Sequence, residues 1–248
     1  MKKTTAAGVF TAAALTAAGL VGSVVTGTAA APPPRAQGSS GAAVDPANFG
    51  SPRANPWFPI RPGMVTRLRG SDGAEHFRER VLVTHRTRVI QGVTTRVVSD
   101  VVRRPDGSLA ERTTDWYADD NAGNVWYFGE ATATYTKRGA VESREGSWMA
   151  GRSGAVAGLI MPANPHATDA YRQEFWRGHA EDQAWIVARQ GRVRVPAGTF
   201  HDVVRSYEWS RLEPNVVSLK FYAPGVGIIK ERDVAGGTEK FTLVSVSR

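Results

Sequence analysis

Alternation of apolar and polar positions is the dominant pattern of this chain, and it is clearest toward the C-terminus. Val217, Leu219 and Phe221 alternate with Ser218, Lys220 and Tyr222, the period of two carried by a half-buried strand. The run ends at Ala223-Pro224-Gly225-Val226-Gly227, where Pro224 has no N–H for a ladder and the glycines tolerate positive φ. Ile228, Ile229, Lys230 and Glu231 then form the returning strand. Upstream, residues 64–69 and 76–85 are strands about a Gly70-Ser71-Asp72-Gly73 turn, and 87–90 with 93–102 form a Val- and Thr-rich hairpin about Gln91-Gly92. Pro105-Asp106-Gly107 is another turn, followed by strands at 109–118, 125–129 and 131–137. Residues 146–158 are glycine-rich and irregular, and extended structure resumes at 171–177 and 181–189 across Gly178. No long segment spaces its apolar residues at a helical period; the best short candidate, residues 167–176, is ambiguous between helix and strand. The pattern predicts one all-β, antiparallel domain over residues 55–248 with little helix. It opens with an extended arm in which Pro56, Pro59 and Pro62 forbid helix and Trp57 and Phe58 are free to pack on the core.

The first 30 residues have a different pattern. Lys2 and Lys3 precede an uncharged Ala/Val/Leu/Gly run over residues 6–25, and Gly27-Thr28-Ala29-Ala30-Ala31 supplies small residues for cleavage after Ala30. This reads as a signal peptide, so the expected location is secreted or extracytoplasmic, with no stable membrane insertion after its removal. An N-terminal anchor is the alternative, since the run is nearly long enough to span, but its Ala, Gly and Thr content makes it a weak span. No cysteine lies near the cleavage site, which excludes lipid anchoring there. Residues 31–54 begin with three prolines, are rich in Ala, Gly and Ser, and read as a disordered linker. The chain has no cysteine at all, which removes disulfides, thiolate metal sites and cysteine nucleophiles. Its formal charge of +8 falls to +6 once Lys2 and Lys3 leave. Arginines interleave with acids along strands, as in Arg78-Glu79-Arg80 and Glu231-Arg232-Asp233, which is how a solvated sheet face looks and not how a nucleic-acid surface is built.

Two regions carry candidate chemistry. Asp115, Asp119, Asp120 and Glu130 surround Trp116, Tyr117, Trp126, Tyr127 and Phe128. Asp119, Asp120 and Asn124 place oxygen donors on a glycine-containing turn that could cradle Ca²⁺, although the EF-hand spacing is absent. A hairpin turn closed by Asx side chains uses the same residues. In the second region His179 and Glu181 share one strand face and Glu174 lies across the Gly178 turn. With Asp115 they form a candidate acid/base or metal-binding set, against the alternative of a polar face with Arg172 and Arg177 paired to Glu174 and Glu181. The other histidines lack zinc-ligand spacing, and neither HExxH nor a G-x-S-x-G elbow occurs. Aromatics beside carboxylates also suit sugars, and two acids flanking a groove could hydrolyse a glycoside. The tryptophans equally suit the core of a large sheet.

Several stretches carry a resemblance. Residues 57–63 (Trp-Phe-Pro-Ile-Arg-Pro-Gly), 115–120 (Asp-Trp-Tyr-Ala-Asp-Asp), 123–130 (Gly-Asn-Val-Trp-Tyr-Phe-Gly-Glu) and 222–227 (Tyr-Ala-Pro-Gly-Val-Gly) resemble an uncharacterised group of exported bacterial proteins. Val195-Pro196-Ala197-Gly198-Thr199-Phe200, followed by residues 222–227, is similar to exported β proteins that share the curved half-barrel of the lipoprotein carriers LolA and LolB. This implies a curved antiparallel sheet whose concave face wraps an apolar ligand or a covering helix; it brings no catalytic residues. The leading expectation is a non-catalytic binder of a lipid-like or amphipathic ligand or a cell-envelope component. Trp126, Phe128, Trp176 and Trp185 would hold the ligand and Arg172 would orient it at the rim. The rival is a secreted hydrolase of a glycan-like substrate using Glu174, His179, Glu181 and Asp115, with or without a divalent cation. A structural envelope domain with no site is the third expectation.

Overall fold

The computed structural model describes residues 44–189 and 191–247. The expected signal peptide and residues 31–43 of the expected linker lie outside the described residues. Among the described residues the chain is strand and turn, with one short 3₁₀ helix at Pro46–Phe49. The strands, in chain order, are β1 (Val65–Asp72), β2 (Glu75–Ile90), β3 (Val93–Arg103), β4 (Leu109–Asp119), β5 (Val125–Tyr135), β6 (Val141–Ser143), β7 (Trp148–Met149), β8 (Val156–Met161) and β9 (Ala170–Arg172). They continue with β10 (Glu174–Phe175), β11 (Asp182–Arg189), β12 (Arg192–Val195), β13 (Gly198–His201), β14 (Val204–Ser210), β15 (Val217–Ala223), β16 (Gly227–Ala235) and β17 (Lys240–Ser247). The ambiguous stretch at 167–176 is extended, as β9 and β10.

All pairings are antiparallel, in the order β10-β8-β5-β4-β3-β2-β1-β17-β16-β15-β14-β11-β9, with β6 and β7 on β5 and β12–β13 a separate hairpin. Long hairpins form because the turns demand it. At Gln91-Gly92 both residues have positive φ (49° and 80°), the combination that returns one twisted strand directly onto the next.

The two ends of this sheet meet in one stretch of chain. β9 pairs with β11 at one end, β10 pairs with β8 at the other, and Gln173 alone separates β9 from β10. The Gln173 N–H donates to the Asp182 carbonyl at 2.8 Å. The curved sheet expected from the sequence is present and bends further than a half-barrel, nearly closing on itself, because this seam segment serves both edges. Closure protects edges that would otherwise be left unpaired.

Residues 44–63, which include the end of the expected linker, close one end. Phe49 sits edge-on to Trp126 (6.2 Å) and Phe128 (5.7 Å). Asn55 is buried: its Nδ2 donates to the Gly123 and Pro162 carbonyls (2.8 and 2.9 Å), and its Oδ1 accepts from Trp57 N and Phe58 N. The Pro56 carbonyl accepts from Gly225 N at 2.7 Å, and Arg189 lies over the Trp57 ring at 4.4 Å. The arm is therefore tied to the turn at 223–227 and runs across the barrel mouth.

The seam makes a prediction. A Cβ on Gly158 of β8 would run into the Gln173 carbonyl, whereas one on Gly50 would meet only Ala47 O at 3.7 Å. Gly158→Ala is expected to lower stability by about 1–3 kcal/mol or more in urea unfolding, and Gly50→Ala by less than about 0.5 kcal/mol. Equal stability of the two variants would contradict a seam at this position.

Candidate functional site

Strand alternation sorts the charges of this sheet by sign. On β2, Phe77, Glu79 and Val81 face inward while Arg78 and Arg80 are exposed; Glu79 is only 2% exposed. On β4 the inward positions are Glu111, Thr113, Asp115 and Tyr117, with Arg112 exposed. The register sets Asp100 of β3 beside Thr113, and Asp115 directly opposite Glu130 of β5. Glu174, Glu208 and Glu231 complete a set of buried inward acids from the remaining strands. The interleaved Arg/Glu pattern is thus a basic exterior over an acidic interior, and only its arginine half is a solvated face.

One of these acids, Glu208, is fully satisfied. Glu208 Oε1 accepts from Ser206 Oγ and Tyr222 OH, both at 2.6 Å; its Oε2 accepts from Gln173 Nε2 at 3.0 Å and meets Lys220 Nζ at 3.2 Å. Burial pushes the Glu208 carboxyl up, but Lys220 and these three donors outweigh it and hold it below its ordinary value. Lys220 also reaches Glu231 at 3.8 Å. Burial opposes the ammonium charge, yet both carboxylates keep Lys220 protonated and raise its pKa.

The acids around Asp115 differ. Tyr127 OH donates to Asp115 Oδ1 at 2.7 Å, and the Tyr127 ring stacks on Tyr117 at 4.6 Å. Burial raises Asp115 to about 7 against the pull of the Tyr127 and Tyr117 hydroxyls. Glu130 has both carboxylate oxygens buried with no hydrogen-bond partner among the described residues, and Glu174 is buried beside the Trp148 indole. Burial drives each well up; Glu130 is raised further by Glu174 and Asp115, and Glu174 by Asp182. Trp148, across from Glu130 on β7, presents its buried indole N–H to Glu174, which offsets part of that rise.

Beside Asp115 opens an apolar groove of about 570 Å³, counting the part open to solvent. Its walls are chiefly Ile60, Leu68, Val83, Val98 and Ile228, with Tyr117 and Asp115 also lining it. Phe58, Ile60 and Val226, all only partly buried, form its mouth. Asp115 is the acidic residue of the lining, and Glu130 of β5 lies directly across from it.

The structure separates several residues that the sequence grouped. Asp115 and Glu174 belong to one buried cluster, but His179 is exposed and stacks on Trp176 at 3.9 Å. Glu181 caps the turn, accepting from Gly178 N at 2.8 Å, and pairs with Arg211 at 3.6 Å. The acid/base set of Glu174, His179, Glu181 and Asp115 is therefore not assembled, because the Gly178 turn carries His179 to the surface. Phe128 and Trp126 lie behind Phe49, with Phe128 fully buried, and Trp185 faces outward at 43% exposure. Arg172 is exposed and covers Phe175 at 4.1 Å. Trp126, Phe128, Trp176, Trp185 and Arg172 are not among the residues that line the groove beside Asp115.

Asp119, Asp120 and Asn124 form the Asx-closed turn. Asp120 Oδ1 accepts from Ala122 N and Asn124 N (both 2.9 Å), and its Oδ2 accepts from Asn124 Nδ2 at 2.7 Å and Trp126 Nε1 at 2.9 Å. Those protein donors occupy the Asp120 oxygens that a cation would need. Asp119 points the other way, where burial raises it to about 7. Among the described residues no group of three or more His, Asp or Glu side chains is arranged to hold a metal ion.

No family model matches the chain, and no curated protein matches it. Two solved structures are similar in fold. One is a Bacteroides fragilis protein described as exported, with a YmcC-like fold: TM-score 0.46, 12% identity, covering 79% of this chain and 100% of that one. The other is a Parabacteroides distasonis protein described as a lipoprotein: TM-score 0.47, 14% identity, with the same coverage. Among the described residues no helix is long and apolar enough to cross a membrane.

The raised carboxyls fix the sign of the pH dependence. Asp115 moves from 3.8 to about 7 and Glu231 from 4.5 to about 7, so between those values the folded chain binds more protons than the unfolded one. Stability is then greatest on the acid side of this window and falls as pH rises through about 7. Glu208, with the opposite shift, loses its contribution only at more acid pH. Thermal unfolding followed by tryptophan fluorescence is expected at a temperature at least about 5 °C higher at pH 5.5 than at pH 8. Asp115→Asn should shrink that difference; a higher Tm at pH 8 would contradict the assignment.

Proposed function

We propose that this protein is an extracytoplasmic, non-catalytic binding protein for an amphipathic molecule, whose apolar part occupies the groove beneath the arm. The observation that carries the reading is the groove itself: apolar walls, a mouth bounded by Phe58, Ile60 and Val226, and one carboxylate, Asp115, in its lining. Apolar pockets with a few placed polar groups are the usual form of small-molecule sites. The extracytoplasmic location rests on the N-terminal sequence, Lys2 and Lys3 before an uncharged run ending in small residues. Hydrolysis is the weaker reading, since His179 lies at the surface and Glu181 is committed to Gly178 and Arg211.

The neutral fluorophore N-phenyl-1-naphthylamine tests this. Saturable binding with a blue-shifted emission is expected in the wild type. Val226→Trp, a change at the partly exposed mouth, should weaken binding by about tenfold or more, equivalent to about 1.4 kcal/mol, at unchanged Tm. No saturable binding, or binding indifferent to Val226→Trp, would overturn the reading.

A further inference from the structure

Resting on the groove as the binding site, we propose that the polar end of the ligand is a protonated amine seated against Asp115 and Glu130. Three observations converge on this. Asp115 lines the groove, and the β4–β5 register sets Glu130 directly across from it. Glu130 is 1% exposed, and both of its carboxylate oxygens lack a hydrogen-bond partner among the described residues. Buried acceptors of this kind are strongly disfavoured unless something donates to them.

The chemistry of the missing donor follows from the site. Tyr127 OH engages one oxygen of Asp115, and Lys220 is held by Glu208 and Glu231. An ammonium group supplies three N–H donors and a positive charge, and its charge-assisted hydrogen bonds are stronger than neutral ones. A carboxylate, sulfate or phosphate head would meet like charge, and a hydroxyl brings one donor and no charge. A bare metal ion is disfavoured because no set of three acidic or His side chains among the described residues converges at ligand distance. An alkylammonium satisfies both halves of the site: its chain lies along Leu68, Val83, Val98 and Ile228, and its head reaches the acids.

Calorimetric titration with decylammonium, decanol and decanoate, below their aggregation thresholds, separates the possibilities. At pH 7.5 decylammonium is expected to bind about tenfold or more tighter than decanol, with decanoate weakest. The advantage should grow from pH 6 to pH 8 as Asp115 ionises. Asp115→Asn and Glu130→Gln should each erase most of it. Equal affinity for decylammonium and decanol, or an advantage untouched by both substitutions, overturns the cationic head and leaves the apolar groove standing. Failure of all three to bind overturns the groove reading as well. If either variant does not fold, the wild-type comparison of head groups still decides.

Discussion

Glu208 is the point on which the closed sheet depends. Its carboxylate receives Ser206 and Tyr222 from its own and the neighbouring strand, Lys220 from β15, and Gln173 from the seam. The Gln173 contact joins the charged network to the segment that spans both sheet edges. Breaking a buried pair of this kind leaves an uncompensated charge and costs about 3–5 kcal/mol. Here the damage would extend to closure, since the residue that bonds Glu208 also holds β9 and β10 in place.

The neighbouring acids share that burial without that satisfaction. Glu130 and Glu174 are as deep as Glu208, but Glu130 receives no hydrogen bond among the described residues and the Trp148 indole beside Glu174 does not offset its burial, so both shift upward where Glu208 is shifted down. Raising Asp115 from 3.8 to about 7 corresponds to a folding penalty on the order of 4 kcal/mol at alkaline pH. A sequence that breaks the rule against unpaired buried acids, beside an apolar groove and within a well-satisfied barrel, is breaking it where function is expected to reside. The same chain shows at Glu208 how such an acid is stabilised when its role is structural.

Much of the fold was legible because turns and alternation are local. Gln91-Gly92, Pro105-Asp106-Gly107 and the residue 119–124 turn stand where the sequence puts them, and the all-β antiparallel sheet follows. What alternation cannot supply is which face turns inward. Along β15 the polar set of Ser218, Lys220 and Tyr222 faces the interior, bonded to Asp233, Glu208 and Glu231, while Phe221 lies outside under Arg205 and Lys230. Closure depends on β9 and β10 meeting edges far away in sequence, and no local pattern encodes that. Asp115 and Glu174 were visible as candidates, whereas Glu79, Glu111 and Glu231 were hidden by their arginine neighbours. Trp126, Phe128 and Trp185 misled for a related reason: an aromatic on a strand has a face, and in these three it is the outer one.

The central claim is that an exterior of arginines encloses acids kept out of water, some of them without partners. Its most direct test is to follow the side-chain carboxyl ¹³C resonances of Asp and Glu as a function of pH in the folded protein. Asp115, Glu130 and Glu174 are expected to titrate well above the ordinary carboxylate range, with Asp115 near 7 and Glu208 below the range. Midpoints at ordinary values for Asp115, Glu130 and Glu174 would mean that water reaches these acids, and would contradict the account.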